Sequence, residues 1–126
     1  MADFSFFFGD LNYRLKTTFT DLNNSNVQTE AIGMILDKDQ LIEAMGEGYY
    51  PGYREMDISF DPSYKMSTSK HEYVNKRDQA PSYCDRVLYK NNTTMVVREE
   101  EYHCHHDVFG SDHRPVSKFI KIKNFK

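Results

Sequence analysis

Three short segments gather the residue types that acid–base and anion chemistry use. Gly9-Asp10-Leu11-Asn12-Tyr13-Arg14 follows the apolar run Phe4 to Phe8. Pro81-Ser82-Tyr83-Cys84-Asp85-Arg86-Val87-Leu88 and Ser111-Asp112-His113-Arg114-Pro115-Val116 each lead into a strand-like stretch. Every segment sets a carboxylate beside a predicted strand end, and the last adds an imidazole. Hydrolysis of a phosphate ester needs such parts: a base for water, donors for the phosphoryl oxygens, and a cation against the developing charge. Each segment also has a plain structural reading. Asp-x-Asn after a strand makes turns, because both side chains bond nearby backbone. Ser-Asp-His-Arg-Pro can cap a turn before a strand, and Asp85-Arg86 can be a structural ion pair.

The elements that must position these residues form an α/β pattern. Phe4 to Phe8 reads as a buried strand whose end carries polar residues into a site. Val27 to Leu36 reads as a helix with Val27, Ile32, Ile35 and Leu36 on one broad face. Asp39 to Met45 reads as a second, ended by Gly46 and Gly48. Tyr49 to Tyr83 is irregular, punctuated by Pro51, Pro62 and Pro81, with one short strand from Asp57 to Phe60. Cys84 to Tyr89, Thr93 to Arg98 and Val116 to Ile122 read as three further strands, the first two joined by a turn at Asn91-Asn92.

Composition sets limits on the class. The 126 residues are 39% hydrophobic and 28% charged, a globular balance for one domain or part of one. Nine Tyr and nine Phe, with no Trp, imply substantial burial. A net charge of -3 gives no global pull toward nucleic acid or anionic membrane, so any phosphate site must be built locally. No basic residue precedes the first apolar run, which argues against a signal peptide. Two cysteines, Cys84 and Cys104, make no disulfide framework and suit a reduced, cytosolic compartment.

Taken together and in order, the three segments resemble the inositol polyphosphate 5-phosphatases of the endonuclease/exonuclease/phosphatase superfamily. That family shows Gly-Asp-Leu-Asn-Tyr-Arg, then Pro-Ala/Ser-Trp-Cys-Asp-Arg-Ile-Leu, then Ser-Asp-His-Lys/Arg-Pro-Val. Asp39-Gln40-Leu41 and Ile58-Ser59-Phe60-Asp61-Pro62-Ser63-Tyr64-Lys65 also resemble family segments, so the likeness runs from about Phe4 to Ile122. The resemblance implies the C-terminal part of a four-layer α/β sandwich, two packed mixed sheets with helices outside. It implies removal of the 5-phosphate from phosphoinositides or soluble inositol phosphates with Mg²⁺. Asp10 then matches the base that orients and deprotonates water, and Asn12 the residue that holds that water and a phosphoryl oxygen. His113 matches the histidine on the scissile phosphate, Asp85 its orienting carboxylate, and Asp112 a second carboxylate near the metal and a further histidine. Tyr64 and Lys65 match the pair that reads the 4-phosphate, and Arg77 matches a nearby basic position.

Some positions depart from the family pattern. Tyr83 replaces a Trp, and Gln79 stands where an arginine helps to grip the 4-phosphate. The family's metal ligands, an asparagine and a glutamate, precede Gly-Asp-Leu-Asn, and the eight residues before Gly9 include neither. The resemblance therefore implies a catalytic domain whose N-terminal half supplies the Mg²⁺ ligands. Without it, Phe4, Phe6, Phe7 and Phe8 would be left as an apolar surface. The implied partners are the inositide substrate and a membrane surface approached from the cytoplasm, not nucleic acid. A nuclease of the superfamily and an inactive half-domain are the competing readings. His103-Cys104-His105-His106-Asp107 is read as a polar loop, because adjacent residues rarely converge on one ion. The lysines Lys118, Lys121, Lys123 and Lys126 are read as a solvated face.

Overall fold

A computed structural model describes residues 2–24 and 32–123. Strand β1 (Phe4–Asp10) pairs antiparallel with β2 (Asp85–Asn91), and β3 (Val96–Cys104) pairs antiparallel with β4 (Val116–Lys123). The two hairpin-like sheets adjoin through β2 and β4. Three short helices, α1 (Phe19–Asn24), α2 (Ile32–Leu36) and α3 (Gln40–Gly46), lie between β1 and β2 in sequence. This is the mixed layout expected for a piece of an α/β sandwich, with each sheet two-stranded and antiparallel among the described residues.

Local chemistry accounts for the helices. Asp39 caps α3, its side chain accepting from Ile42 N at 2.9 Å, which satisfies one of the orphan donors of the first turn. Helix α1 was not foreseen from the sequence. Thr18 Oγ1 accepts from Asp21 N at 3.1 Å, and Asp78 Oδ1, 58 positions away, accepts from Thr20 N at 2.9 Å. Its start is thus set partly by a distant carboxylate. Of the helix expected over Val27 to Leu36, α2 is the described part, and residues 27–31 lie outside the described residues.

The core is apolar and aromatic, with Leu15, Leu22, Ile35, Ile58, Phe60, Ala80, Tyr83, Tyr102 and Cys104 at its centre. Phe60 makes edge contacts with Tyr83 and Tyr102, at centroid distances of 5.8 and 5.1 Å. The expected strand over Asp57 to Phe60 is absent as a ladder. The segment is buried at Ile58 and Phe60, but the Phe60 carbonyl accepts from the Tyr83 hydroxyl at 2.7 Å rather than from a neighbouring strand.

Strand β1 is open rather than buried: Phe6, Phe7 and Phe8 are 46%, 41% and 69% exposed, the apolar surface expected of residues 1–126 alone. It has β2 on one edge, and the Tyr50 ring stacks on Phe7 at a centroid distance of 5.5 Å. Three further expectations are corrected. Strand β3 begins later than Thr93 and runs further. Asn91 Oδ1 accepts from Thr93 N at 2.9 Å and its Nδ2 donates to Met95 O at 3.0 Å, which holds the turn open to Met95. The strand then continues past a bulge at Glu99/Glu101 to Cys104, so His103 and Cys104 are strand residues and not loop. Finally, Lys118 is not solvated. Its side chain is 3% exposed, 3.5 Å from Glu99 and over the rings of Tyr89 and Tyr102. Burial pushes its pKa down, although the neighbouring Glu99 acts the other way.

One buried ionic cluster ties the helices to the sheet. The Arg86 side chain, fully enclosed, bonds Asp39 Oδ1 at 2.8 Å and both oxygens of Glu55 at 2.6 Å. Burial alone would lower its pKa, but Glu55 and Asp39 more than offset that and hold the guanidinium charged. The Tyr102 hydroxyl adds a bond to Glu55 at 2.8 Å and accepts from Val87 N at 2.9 Å. Arg86 is thus a structural cation, but its partners are Asp39 and Glu55 and not the adjacent Asp85.

Candidate active site

The register of β1 on β2 sets Asp10 directly opposite Asp85. Two like charges facing across a ladder repel one another unless something lies between them. His113 fills that role. Its Nδ1 is 2.8 Å from Asp85 Oδ2 and its Nε2 is 3.6 Å from Asp10 Oδ2. A carboxylate only accepts, so Nδ1 carries the hydrogen and Nε2 is left facing the Asp10 side. The expected pairing of Asp85 with His113, across 28 positions of sequence, is therefore present.

The supports of this pair come from inside the fold. Ser63, fully buried, donates its hydroxyl to Asp85 Oδ2 at 2.6 Å. The turn that carries His113 is fixed by Arg114, itself 1% exposed. Its guanidinium donates to the carbonyls of Ser67 at 2.6 Å, Lys70 at 2.9 Å and Ser111 at 2.9 Å. Its backbone N–H donates to Ser63 O at 2.9 Å, joining the two supports. Tyr64 lies against His113, ring centroids 4.5 Å apart.

Asp10 and Asn12 lie on the open side. Asp10 is 51% exposed at its side chain, and its Oδ1 accepts from Asn12 N at 3.0 Å. Asn12 has φ 58, a left-handed conformation that asparagine tolerates better than most residues. A cleft of about 330 Å³ runs between Phe8, Asp10, Asp85, His113 and Pro115.

Other expected residues are not brought into this group. Asp112 lines a second cleft of about 560 Å³ together with Lys65, Ser67 and Thr68, and its backbone carbonyl accepts from Met66 N at 2.8 Å. Lys65 thus belongs to the second cleft, while Tyr64 lies against His113 of the first. Arg77 is exposed, with φ 55 in the turn that precedes Ala80, and lines neither cleft. Gln79 lines a small recess with Arg14 and Ser82. Sequence reasoning missed Ser63 and Arg14. Ser63 sat inside a segment singled out only for Tyr64 and Lys65, and Arg14 closed a segment singled out for its aspartate and asparagine.

Among the described residues, Asp10, Asp85 and His113 are the one group whose ligand atoms lie within 4.8 Å of one another. Hard divalent cations take six or more oxygen ligands. Here Asp85 Oδ2 already accepts from Ser63 and His113, and one nitrogen of His113 is taken. With three residues, two of them already engaged with one another, the trio does not fit a complete divalent site. His105 and His106 do not form another, since His105 bonds Ser117 Oγ at 2.7 Å and His106 is 3.2 Å from Pro62 O.

The arrangement can orient an imidazole, hold a water beside a carboxylate and accept an anion between them. Known proteins resemble the chain over nearly its whole length. A type IV inositol polyphosphate 5-phosphatase of Arabidopsis thaliana is 30% identical over 125 residues, which cover 96% of this chain and 37% of that protein. The inositol polyphosphate 5-phosphatase domain of SpSynaptojanin, solved with inositol (1,4)-bisphosphate and a calcium ion, superposes with a TM-score of 0.79. It is 28% identical and covers 95% of this chain and 36% of that one. Cimex nitrophorin, solved as a ferrous NO complex, superposes with a TM-score of 0.83 at 30% identity, covering 98% of this chain and 43% of that one. The chain thus spans well under half the length of these relatives. One fold carries both a phosphatase and a nitrophorin, so the fold alone does not name the chemistry. What the fold and the match over residues 1–119 do establish is kinship: the chain belongs to endonuclease/exonuclease/phosphatase family 2.

Proposed function

We propose that residues 1–126 form the C-terminal portion of an inositol polyphosphate 5-phosphatase catalytic domain. The reaction is hydrolysis of the 5-phosphate of a phosphoinositide or a soluble inositol polyphosphate. The observation that carries the reading is the histidine between two carboxylates, buried support on one side and an open aspartate on the other. Asp10 takes the proton of the attacking water, and Asn12 holds that water and a phosphoryl oxygen. His113, aligned by Asp85, presents Nε2 to the scissile phosphate. Such positioned acid–base groups contribute about 10²–10⁴-fold each. Tyr64 and Lys65 contact the neighbouring phosphate, where a lysine ammonium supplies charge without demanding fixed geometry.

The name of the Arabidopsis relative and the inositol bisphosphate and calcium in the SpSynaptojanin domain support both the substrate class and a divalent cation. We assign Mg²⁺ as that cation, with its principal ligands outside residues 1–126. The ion, when bound, offsets negative charge on the phosphoryl oxygens. The enzyme works in the cytoplasm at membrane surfaces that present the lipid.

The test is phosphate release from inositol 1,4,5-trisphosphate and from phosphatidylinositol 4,5-bisphosphate vesicles in millimolar Mg²⁺, beside nicking of duplex DNA. Residues 1–126 and the product of the reading frame extended upstream of Met1 are assayed together. Release by the extended product without DNA nicking is expected. Nicking without phosphate release would replace this reading with a nuclease.

A further inference from the structure

We propose that Arg14 is a positioning residue that sets the amide of Asn12, so that its NH₂ and not its carbonyl faces the reacting phosphate. The inference rests on the role given to Asn12 above, and it concerns a residue to which no role has yet been assigned. Two nitrogens of Arg14, Nε and Nη2, lie 2.9 and 2.6 Å from the same atom, Asn12 Oδ1. A guanidinium has five donors and no acceptor, so the atom it forks must be the amide oxygen. The usual ambiguity between amide oxygen and nitrogen is removed by the chemistry of the partner.

The consequences follow from what Asn12 then has left. Its backbone N–H is spent on Asp10 Oδ1 at 3.0 Å, and its Oδ1 is spent on Arg14. Its Nδ2 donates to no described residue, although Asn12 stands next to the catalytic aspartate on an exposed turn. An exposed asparagine with no such clamp would interchange its two ends by rotation about χ2, since that torsion is broad and two-fold. The clamp removes this freedom and leaves two donors for phosphoryl oxygens, where donors fixed in advance act most strongly.

Arg14 is itself held on its other side. Its Cζ lies 4.7 Å from the centroid of the Tyr64 ring, and that ring lies 4.5 Å from the His113 ring. One guanidinium therefore couples the open side of the cleft, Asp10 and Asn12, to the closed side, Tyr64 and His113. A lysine cannot substitute, because an ammonium offers no planar fork and stacks less well on an aromatic face.

The experiment compares the parent with Arg14→Lys and Arg14→Ala. The first readout is ¹⁵N relaxation of the Asn12 side-chain amide, which needs no turnover. The parent should show an ordered amide, and both variants a mobile one with an order parameter below about 0.6. The Asp85–His113 pair should keep its Nδ1 proton signal in both, which separates loss of the clamp from general unfolding. An Asn12 amide equally ordered in all three proteins would overturn the inference. The second readout is kinetic, in the form of the protein that releases phosphate. Both variants should lose roughly 10- to 100-fold in kcat with little change in KM, as for misplacement of a group used in the transition state. Full kcat in Arg14→Lys would overturn it too. A parent with no phosphatase turnover would sink the proposed reaction, while the relaxation result would still decide the clamp.

Discussion

On one side of the cleft, Asp85 exposes 19% of its side chain, leans on a Ser63 that is fully buried, and aligns His113 at 2.8 Å. On the other, Asp10 exposes 51% of its side chain at the end of a strand whose phenylalanines face outward. The closed side is fixed by groups drawn from residues 63, 85 and 111–114: the Ser63 hydroxyl donates to Asp85, and buried Arg114 holds the turn by donating to the carbonyls of Ser67 and Ser111. The open side is fixed by local turn chemistry and by Arg14 alone. The difference teaches where precision resides in this chain. The half that aligns the imidazole is built from within, and the half with the open carboxylate is left accessible.

The largest expected effect lies in the frame beneath the closed side. Arg86→Ala strands Asp39 and Glu55 without their cation, and removal of one partner from a buried ionic cluster costs about 3–5 kcal/mol. Against a typical total of roughly 5–15 kcal/mol, that removes much of the stability. Thermal or urea unfolding measures it. A loss below about 1 kcal/mol, the range of exposed ion pairs, would show that the cluster is not desolvated in solution.

Ser63→Ala should come next. It deletes a buried hydrogen bond to a charged group, a contribution of about 1.5–3 kcal/mol, and frees the Asp85 carboxylate to turn. Ser63→Thr retains a hydroxyl and should recover most of the loss. If the alanine variant melts like the parent and keeps the Asp85–His113 bond, the closed side is less tightly determined than the geometry indicates.

The smallest effect belongs to the open side. Phe8→Ser changes a residue that is 69% exposed, and in residues 1–126 it should shift stability by no more than about 0.5 kcal/mol, as ordinary surface changes do. A loss of roughly 3–5 kcal/mol, the range for truncating a buried phenylalanine, would mean that something covers β1 in solution.

The same contrast explains what the sequence made legible. Asp10, Asp85 and His113 stood out because each polar group abuts a strand-like run, and their ordering matched a known family. That Asp85 and His113 meet follows from the matched motifs and not from spacing alone. The run Phe4 to Phe8 was legible as a strand, and the exposure of Phe6, Phe7 and Phe8 is the apolar surface expected of residues 1–126 alone. A continuous apolar run implies two covered faces, which layers packed on the sheet and not strand partners supply. The full length of β3 was hidden by Glu99-Glu100-Glu101, where a bulge interrupts the alternation of faces. Ser63 and the partners of Arg86 act through contacts between residues 22 to 47 positions apart. No periodicity within a window of sequence records such contacts.

The central claim is that this chain carries the residue that activates water and the histidine aligned beside it. The most direct measurement is phosphate release from inositol 1,4,5-trisphosphate by the product of the extended reading frame and by its Asp10→Asn variant. An amide cannot take a proton from water, so the account expects turnover to fall by at least about a hundredfold with the melting temperature held. Turnover within about threefold of the parent, far less than the loss of a general base produces, would contradict it.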